Sequence, residues 1–293
     1  MTTIAVTERA PPKVNLTLRV RGRRADGYHD LESLVAFAGG IADVVTLHLR
    51  SNRSVSAHGP FAPSIAGENL LAVALDRLAQ AEPDIELGAV SLEKNLPVAA
   101  GIGGGSADAA ALIRAVVRAN PAKRTTIDWL ALARSLGADV PVCLASTAQL
   151  MEGIGDRLTP LPGLPPLDAV LVNPCEPVPP DKTARVFRTL AAPPLADPSP
   201  PRLTPLEFGG RAALLAHMRS VGNDLTTPAR SVVPTIDAVL AALEIAPACE
   251  LAQVSGGGPT CFGIYPDAEA AAEAARIIGG AHPNWWVVHC RLS

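Results

Sequence analysis

Residues 13–20 alternate between polar and apolar side chains, the period of a half-buried β-strand. Four aliphatic residues share one face, whereas Lys13 and Asn15 lie on the polar face. Residues 44–50 alternate less strictly but begin with three β-branched residues, so we expect a second strand that pairs with the first.

Apolar residues spaced three and four apart predict helices in both halves of the chain. The helix over residues 69–81 has Asn69 in the N-cap position, and the helix over 127–136 ends before Gly137. Further helices are predicted over 106–119, 181–190, 235–243 and 267–278, and further strands over 85–93, 167–173, 250–254, 261–265 and 285–291. This interleaving without internal repeats indicates an α/β or α+β chain with two layers per domain.

Proline clusters in two places, with eight prolines over residues 160–180 and six over residues 193–205. The second cluster has little apolar periodicity and is typical of a surface loop or linker. We therefore predict a domain boundary near Thr159, which gives domains 1–158 and 159–293. A chain of 293 residues fits two domains at roughly 150 residues each.

Composition excludes several classes of protein and partner. With 48% hydrophobic and 18% charged residues, the chain is too apolar to be disordered, and its apolar runs are too short for a membrane helix. A net charge of -3 and 3% aromatic residues argue against nucleic acid as a partner. The five cysteines fit neither a disulfide framework nor a zinc site, and the N-terminus resembles no signal peptide, so a cytoplasmic location is predicted. The sequence leaves the oligomeric state and any metal ligands open.

A glycine-rich segment between a predicted strand and a predicted helix carries the most information about chemistry. Gly101–Gly105 holds four glycines in five positions, so its backbone amides can converge on an anion beside the positive end of the helix dipole. That arrangement is typical of phosphate binding, although neither a Walker A motif nor a Rossmann fingerprint is present. The alternative is a flexible turn, which needs only one or two glycines.

Two further segments combine turn-forming residues with candidate functional residues. Gly137 and Pro141 place Asp139 in a turn, where a capping role is the simpler interpretation. Residues 255–260 contain three consecutive glycines between two predicted strands, and alone they would be interpreted as a hairpin loop.

In this order, the three segments resemble the GHMP kinase superfamily of small-molecule kinases, whose central loop reads Pro-x-x-x-Gly-x-Gly-Gly-Gly-Ser. Residues 10–16 (Ala-Pro-Pro-Lys-Val-Asn-Leu) and 24–29 (Arg-Ala-Asp-Gly-Tyr-His) are similar to the branch that phosphorylates a cytidyl diphosphate sugar alcohol in the non-mevalonate isoprenoid pathway. The matching segments span nearly the whole chain.

The resemblance implies an α+β, two-domain GHMP kinase fold. Its N-terminal domain would be like the second domain of ribosomal protein S5 and its C-terminal domain ferredoxin-like, with the active site in the cleft between them. The implied reaction transfers phosphate from ATP, bound with Mg²⁺, to the 2-hydroxyl of the methylerythritol part of the small-molecule substrate.

The resemblance also implies roles for individual residues, with Lys13 and Asp139 as the catalytic pair. The ATP phosphates would be bound by Pro97, Val98, Ala99, Ala100, Gly101, Ile102, Gly103, Gly104, Gly105, Ser106 and Ala107. The substrate would be bound by Asn15, Tyr28, His29, Thr183, Phe187, Gly256, Gly257 and Gly258. Two departures are Ala107, where many relatives have a second serine, and Pro12, which removes one backbone N–H.

Other interpretations of these residues remain open at this point. Lys13 alone is typical of a solvated edge strand, and Tyr28 with His29 of a hairpin tip. A sister kinase acting on homoserine or mevalonate would lack a base for Tyr28 to stack on. A catalytically silent nucleotide-binding module would have no need to retain both Lys13 and Asp139.

Overall fold

A computed structural model describes residues 4–65, 67, 69–197 and 206–293. These residues form two compact units. Unit 1 contains the described residues of Met1–Pro12, Ile41–Val98 and Gly103–Ser146, and unit 2 those of Lys13–Gly40, Ala99–Ile102 and Thr147–Ser293. Each unit combines sheet and helices, in keeping with the mixed class indicated by the sequence. The predicted boundary near Thr159 stays a prediction.

The strands and helices have the following bounds. The strands are β1 (Ala5–Ala10), β2 (Lys13–Asn15), β3 (Arg19–Arg23), β4 (His29–Gly39), β5 (Asp43–Leu49), β6 (Ser54–His58), β7 (Gly88–Glu93), β8 (Gln149–Gly153), β9 (Arg157–Pro160), β10 (Leu167–Asn173), β11 (Leu251–Val254), β12 (Cys261–Tyr265) and β13 (Trp286–Leu292). The helices are α1 (Leu70–Ala81), α2 (Gly104–Ala119), α3 (Trp129–Leu136), α4 (Val140–Ala145), α5 (Lys182–Leu190), α6 (Arg211–Val221), α7 (Thr226–Val232), α8 (Ile236–Ile245) and α9 (Ala268–Ala281).

In unit 1, a sheet with strand order β1-β5-β7-β6 packs against α2. The prediction that residues 44–50 pair with residues 13–20 is wrong, because β5 lies antiparallel between β1 and β7. The apolar side of α2 is fully buried along Ala109–Ile113. Asn69 caps α1 as predicted, since its side chain accepts a hydrogen bond from the Leu71 amide at 3.0 Å.

In unit 2, the main sheet runs in the order β11-β12-β10-β13-β4-β8-β9, and β2 and β3 both pair with β4. The single strand predicted over residues 13–20 is interrupted between β2 and β3. Leu18 turns away from β4, since its amide donates to the Gly222 carbonyl (2.9 Å) and its carbonyl accepts from the Asp224 amide (2.8 Å). Both faces of this segment are buried as far as Leu18, so the expectation of a half-buried strand is also wrong there.

Two other parts of unit 2 bear on the sequence predictions. The hairpin β11–β12 and strand β10 confirm the strands predicted over residues 250–254, 261–265 and 167–173, with β11 beginning one residue later than predicted. Of the linker predicted at the second proline cluster, residues 198–205 lie outside the described residues. An apolar core formed by β10, β12, α8 and α9 includes Val170, Tyr265 and Leu243, and it packs against the β11–β12 hairpin.

Candidate functional site

Two glycine-rich segments meet in unit 2. Gly101 has a φ of +79°, and a Cβ there would lie 2.5 Å from the Gly258 carbonyl oxygen and 2.9 Å from that of Ser255. The Thr260 amide donates to the Ala100 carbonyl at 3.0 Å, which fixes the contact. Only glycine fits position 101, for reasons of both space and backbone conformation.

The second of these segments, residues 255–260, is held from several sides. Asn223 donates through its amide group to the carbonyls of Val254 (2.8 Å) and Gly256 (2.9 Å). The side chain of Asn173 donates to the Thr260 hydroxyl at 2.8 Å. The loop therefore keeps one shape without side chains of its own at residues 256–258.

Lys13 and Asn15 lie beside this contact between the two loops. The Lys13 amide donates to the Ile102 carbonyl (3.0 Å), and its ammonium donates to Asn15 Oδ1 (3.2 Å). Asn15 in turn donates to the Ser33 hydroxyl at 2.7 Å. Lys13 is only 5% exposed, so it is not the solvated edge-strand lysine that its position alone allowed. Its charge is fixed in a polar network.

The remaining part of the central glycine segment belongs to unit 1 and begins α2. Gly103 has a φ of +64° and supplies no side chain to cap the helix. The first amides of an α-helix have no intrahelical acceptor, and their dipoles give this end a positive potential. Gly105 is exposed, and a Cβ there would meet nothing within 4 Å. This helix end therefore presents open backbone donors suited to phosphate oxygens.

Beneath that helix end is a buried cluster of three charges that we call the Lys94 triad: Lys94, Asp43 and Asp108. The Lys94 ammonium lies 2.6 Å from a carboxylate oxygen of each aspartate. A Cβ added at Gly104 would lie 3.4 Å from Lys94 Nζ, so the triad touches the first turn of α2. The other oxygen of Asp43 accepts from the amides of Asn95 (2.6 Å) and Leu96 (2.8 Å), which fixes the chain immediately before Pro97.

The pKa values within the triad follow from burial and from one cation shared by two anions. Burial and the charge of Asp43 raise the pKa of Asp108, and together they outweigh the opposing effect of Lys94. Burial acts to lower the pKa of Lys94, but the two aspartates reverse this and raise it. The ammonium is therefore retained and firmly paired. The sequence gives no signal for this cluster, because its members lie 51 and 14 residues apart.

Asp139 stands at the start of α4, in unit 1. Its backbone carbonyl accepts from the Cys143 amide at 3.3 Å, while its side chain makes no capping hydrogen bond to that helix. The Asp139 side chain therefore does not cap α4, and the catalytic role that the family resemblance implies for it stays a prediction. Asp139 is half-buried and lies at the start of this short helix.

An aromatic group in unit 2 lies on the β3–β4 hairpin and on α5. The rings of His29 and Phe187 stack with centroids 4.5 Å apart and an interplanar angle of 27°. Tyr28, at the hairpin turn, is 58% exposed. Burial and then the charge of Arg23 lower the pKa of His29, so its ring is neutral at pH 7, with one donor and one acceptor nitrogen.

Lys182 is a residue that the sequence analysis did not single out. It begins α5, directly before Thr183, and it is 5% exposed. Its ammonium donates to the Gly258 carbonyl. Among the described residues, no carboxylate forms an ion pair with it, and burial lowers its pKa to about 8. No local sequence signal identifies it, because Gly258 lies 76 residues further along the chain.

The structure thus distributes the predicted site residues between the two units. Unit 2 brings Lys13, Asn15 and residues 99–102 together with Gly256–Gly258, and it carries Tyr28, His29, Thr183 and Phe187. Unit 1 carries Pro97, Val98, residues 103–107 and Asp139. The proposed pairing of Lys13 with Asp139 stays a prediction.

Unit 1 also contains an open cavity of about 400 Å³ that the sequence did not indicate. Residues of β6 and α1 line it, including Val55, Asn69, Ala72 and Asp76. Over the described ranges of the chain, no helix is both long and apolar enough to cross a membrane.

Comparison with known proteins gives matches over both halves of the chain. The family model described as the GHMP kinases N terminal domain matches residues 69–147, and the model described as GHMP kinases C terminal matches residues 207–284. A protein of Azorhizobium caulinodans named 4-diphosphocytidyl-2-C-methyl-D-erythritol kinase is 48% identical, over 95% of this chain and 96% of that protein.

Two solved structures are similar throughout their length. A 4-(cytidine 5'-diphospho)-2C-methyl-D-erythritol kinase has a TM-score of 0.74 and 31% identity, covering 98% of this chain and 99% of its own. The homoserine kinase of Cytophaga hutchinsonii has a TM-score of 0.70 at 17% identity, covering 99% of this chain and 94% of its own. The second likeness is one of fold alone.

Proposed function

This chain belongs to the GHMP kinase family, and on that premise we propose that it transfers the terminal phosphoryl group of ATP to the 2-hydroxyl of 4-diphosphocytidyl-2-C-methyl-D-erythritol. The expected α+β, two-domain fold of this family is confirmed by the full-length structural matches. The chain is therefore a small-molecule kinase that uses ATP.

The observation that carries the choice of substrate is the aromatic group of unit 2. His29 and Phe187 already stack, and Tyr28 presents an exposed ring at the adjacent turn. Aromatic side chains bind planar bases by stacking, whereas homoserine and mevalonate offer no base. A neutral His29 has the donor and acceptor needed to hydrogen-bond a cytosine edge. Asn15 and Thr183 are proposed as further substrate contacts.

For ATP, the residues present fit a triphosphate. The N-terminus of α2 supplies open amides at Gly104, Gly105 and Ser106, and the absence of a side chain at Gly105 leaves room for phosphate oxygens. We propose that residues 97–107 wrap the phosphates and that Mg²⁺ accompanies the nucleotide, since a divalent cation offsets phosphate charge in such transfers.

In the proposed reaction, Asp139 accepts the proton of the substrate hydroxyl as the oxygen attacks the terminal phosphorus, while the bond from that phosphorus to the β–γ bridging oxygen breaks and ADP leaves. A carboxylate is a weak base for an alcohol, but the proton need only move late, as the new P–O bond forms. Lys13 provides a fixed positive charge that stabilises the developing alkoxide. Its burial and its bond to Asn15 hold that charge in place.

An ADP-release assay with purified protein tests the proposal. The cytidyl substrate should give turnover, while homoserine and mevalonate should not; the reverse result would reject the substrate.

Asp139→Asn should lower kcat by at least about 10²-fold with little change in the KM for ATP. Asp128→Asn is the matched control, because Asp128 only caps α3 in the same unit. Near-native kcat in Asp139→Asn would remove that residue from the mechanism.

We also propose that the enzyme works in the cytoplasm. All five cysteines are free thiols, which is typical of proteins in a reducing compartment.

A further inference from the structure

Arg114 lies in α2 and forms hydrogen bonds with two other elements of unit 1. Its guanidinium donates to the carbonyls of Cys143 (2.8 Å) and Leu144 (3.4 Å) in α4, and to the Ser146 hydroxyl (3.3 Å) just after that helix. It also donates to the Arg9 carbonyl at 2.6 Å, near the end of β1. The Arg114 side chain is 22% exposed, so these bonds are largely shielded from water.

The bonds from Arg114 to α4 are made at the C-terminal end of that helix, and Asp139 stands at its other end. The last carbonyls of an α-helix have no donor within the helix, and a cation beside them interacts favourably with the helix dipole. Arg114 therefore stabilises this end of α4 both by hydrogen bonding and by charge. The helix has only six residues, and so short a helix is held in place mainly by tertiary contacts.

The two helices that Arg114 joins carry two groups of the proposed reaction. Asp139 immediately precedes α4, and the amides for which we propose phosphate binding are at the start of α2. Arg114 follows Gly104 by ten residues, about 15 Å along the axis of α2, so it does not act on the phosphates directly. The packing of α4 on α2 sets the distance between the proposed base and those amides, and Arg114 is a direct polar link in that packing.

We propose that Arg114 is a positioning residue for phosphoryl transfer, because it holds α4, and through α4 the Asp139 carboxylate, in a fixed place relative to α2. This inference rests on the proposed function, in which Asp139 is the base. Misplacing a reacting group by about 1 Å can cost about 10²-fold in rate. Loss of the Arg114 bonds lets α4 shift, so kcat falls while the binding of both substrates is retained.

Arg118, one turn further along α2, shares only part of this network. It donates to the Glu8 carboxylate at 2.6 Å and to the Thr7 carbonyl at 3.3 Å, and Arg114 also donates to Glu8, at 3.3 Å. Both arginines therefore link α2 to β1. Within the described parts of the chain, Arg114 has bonds to α4 and Arg118 has none, which makes Arg118 the matched control.

Steady-state kinetics of Arg114→Met and Arg118→Met tests the proposal. Arg114→Met should lower kcat about tenfold, with the KM values for ATP and for the cytidyl substrate within about twofold of wild type. Arg118→Met should leave kcat and both KM values within about twofold. Arg114→Lys keeps the charge beside α4 but loses the planar fork of donors, so it should restore part of the lost kcat.

A double-mutant cycle with Asp139→Asn separates positioning of the base from support of the fold as a whole. Once the base is absent its position no longer matters, so adding Arg114→Met to Asp139→Asn should change kcat by less than about twofold. Hydrogen exchange is a readout that does not depend on turnover. The amides of α4 should exchange at least about tenfold faster in Arg114→Met, but not in Arg118→Met. If Arg114→Met does not fold, Arg114→Lys replaces it in both measurements, with smaller effects of the same sign.

Three results would overturn the inference. Near-native kcat in Arg114→Met would show that its bonds to α4 do not affect the reaction. An equal fall in kcat with and without the Asp139 carboxylate, or in Arg118→Met, would show that the arginine acts on something other than the base. Unchanged exchange in α4 would show that the helix is held without Arg114. Failure of the proposed function is read separately, from absent turnover of the cytidyl substrate by wild type or from near-native kcat in Asp139→Asn alone.

Discussion

Two buried lysines, Lys94 in unit 1 and Lys182 in unit 2, are equally hidden from solvent and have opposite electrostatic environments. Their exposures are 4% and 5%. Lys94 lies between two carboxylates, which raise its pKa, whereas Lys182 faces a carbonyl and has its pKa lowered to about 8 by burial. The degree of burial alone therefore does not distinguish a lysine that is paired with carboxylates from one that is not.

The difference lies in what each charge is paired with before any ligand arrives. Lys94 joins the chain before Pro97 to the first turns of α2, through Asp43 and Asp108. Its charge is neutralised inside the protein, and its role is to position the start of α2, for which we propose phosphate binding. The Lys182 ammonium is held by the Gly258 carbonyl, but no carboxylate of the described residues neutralises it, so its burial carries a desolvation cost.

The largest expected effect comes from removing the paired lysine. Lys94→Met would leave two buried carboxylates without a cation, and breaking such a pair costs about 3–5 kcal/mol. Urea unfolding should show this loss. The control is Lys123→Met, which removes a partly exposed pair with Glu82 and should cost no more than about 1 kcal/mol. A loss below about 1 kcal/mol in Lys94→Met would contradict a structural role for the triad.

Removing the unpaired lysine should have the opposite sign. The Lys182 pKa falls from 10.5 to about 8, which corresponds to a penalty of up to about 3 kcal/mol in the folded state at pH 7. Lys182→Met also loses the bond to Gly258, an opposing contribution of about 1 kcal/mol. The variant should therefore be more stable than wild type at pH 7 by about 1–2 kcal/mol.

The pH dependence of this gain follows from proton binding. Between about pH 8 and pH 10.5 the unfolded wild-type chain keeps the lysine proton that the folded state has released, so wild-type stability rises with pH there. The advantage of Lys182→Met should accordingly shrink from pH 7 to pH 10 in urea unfolding. A variant less stable than wild type at pH 7 would show that Lys182 is a structural link instead.

The contrast between the two lysines also shows which features of the fold and the candidate site can be predicted from the sequence. The glycines at 101–105 and 256–258 could be recognised because a strand, a helix start and bare backbone are all local features. The capped helix α1 and strand β10 were predictable for the same reason. Contacts between residues far apart in the sequence could not be predicted. The partners of Lys94, and the lack of a carboxylate partner for Lys182 among the described residues, therefore become visible only in the fold.

Local patterns also failed where long-range contacts decide the outcome. Residues 13–20 have the alternation of one strand, but the contacts of Leu18 with Gly222 and Asp224 interrupt it after β2. Its polar face is buried as well, because other segments cover it. The sequence does not predict strand β4, because a central strand that is buried on both faces lacks the alternation of polar and apolar residues. Lys13 accordingly lies in a buried network and not in solvent.

The smallest expected effect separates the two aspartates of the Lys94 triad. Asp43 accepts three hydrogen bonds, from Lys94 and from the amides of Asn95 and Leu96, whereas Asp108 accepts one from Lys94 and has a buried oxygen without a partner. Burial and the charge of Asp43 raise the pKa of Asp108. Above about pH 4, Asp108 is deprotonated in the unfolded chain but still protonated in the folded protein. Its contribution to the free energy of unfolding therefore falls as pH rises from about 4 to the raised pKa.

Asp108→Asn mimics the protonated acid, so at pH 6 it should change stability by less than about 1 kcal/mol. It should also remove the part of the fall in the free energy of unfolding with rising pH that comes from Asp108. Asp43→Asn is the matched comparison: its single oxygen cannot accept from both backbone amides and from Lys94 as the two carboxylate oxygens do, so it should cost about 3 kcal/mol. Urea unfolding of both variants at pH 6 and pH 8 measures these effects. Equal losses in the two variants would mean that Lys94 depends on both carboxylates alike, and would contradict the raised pKa of Asp108.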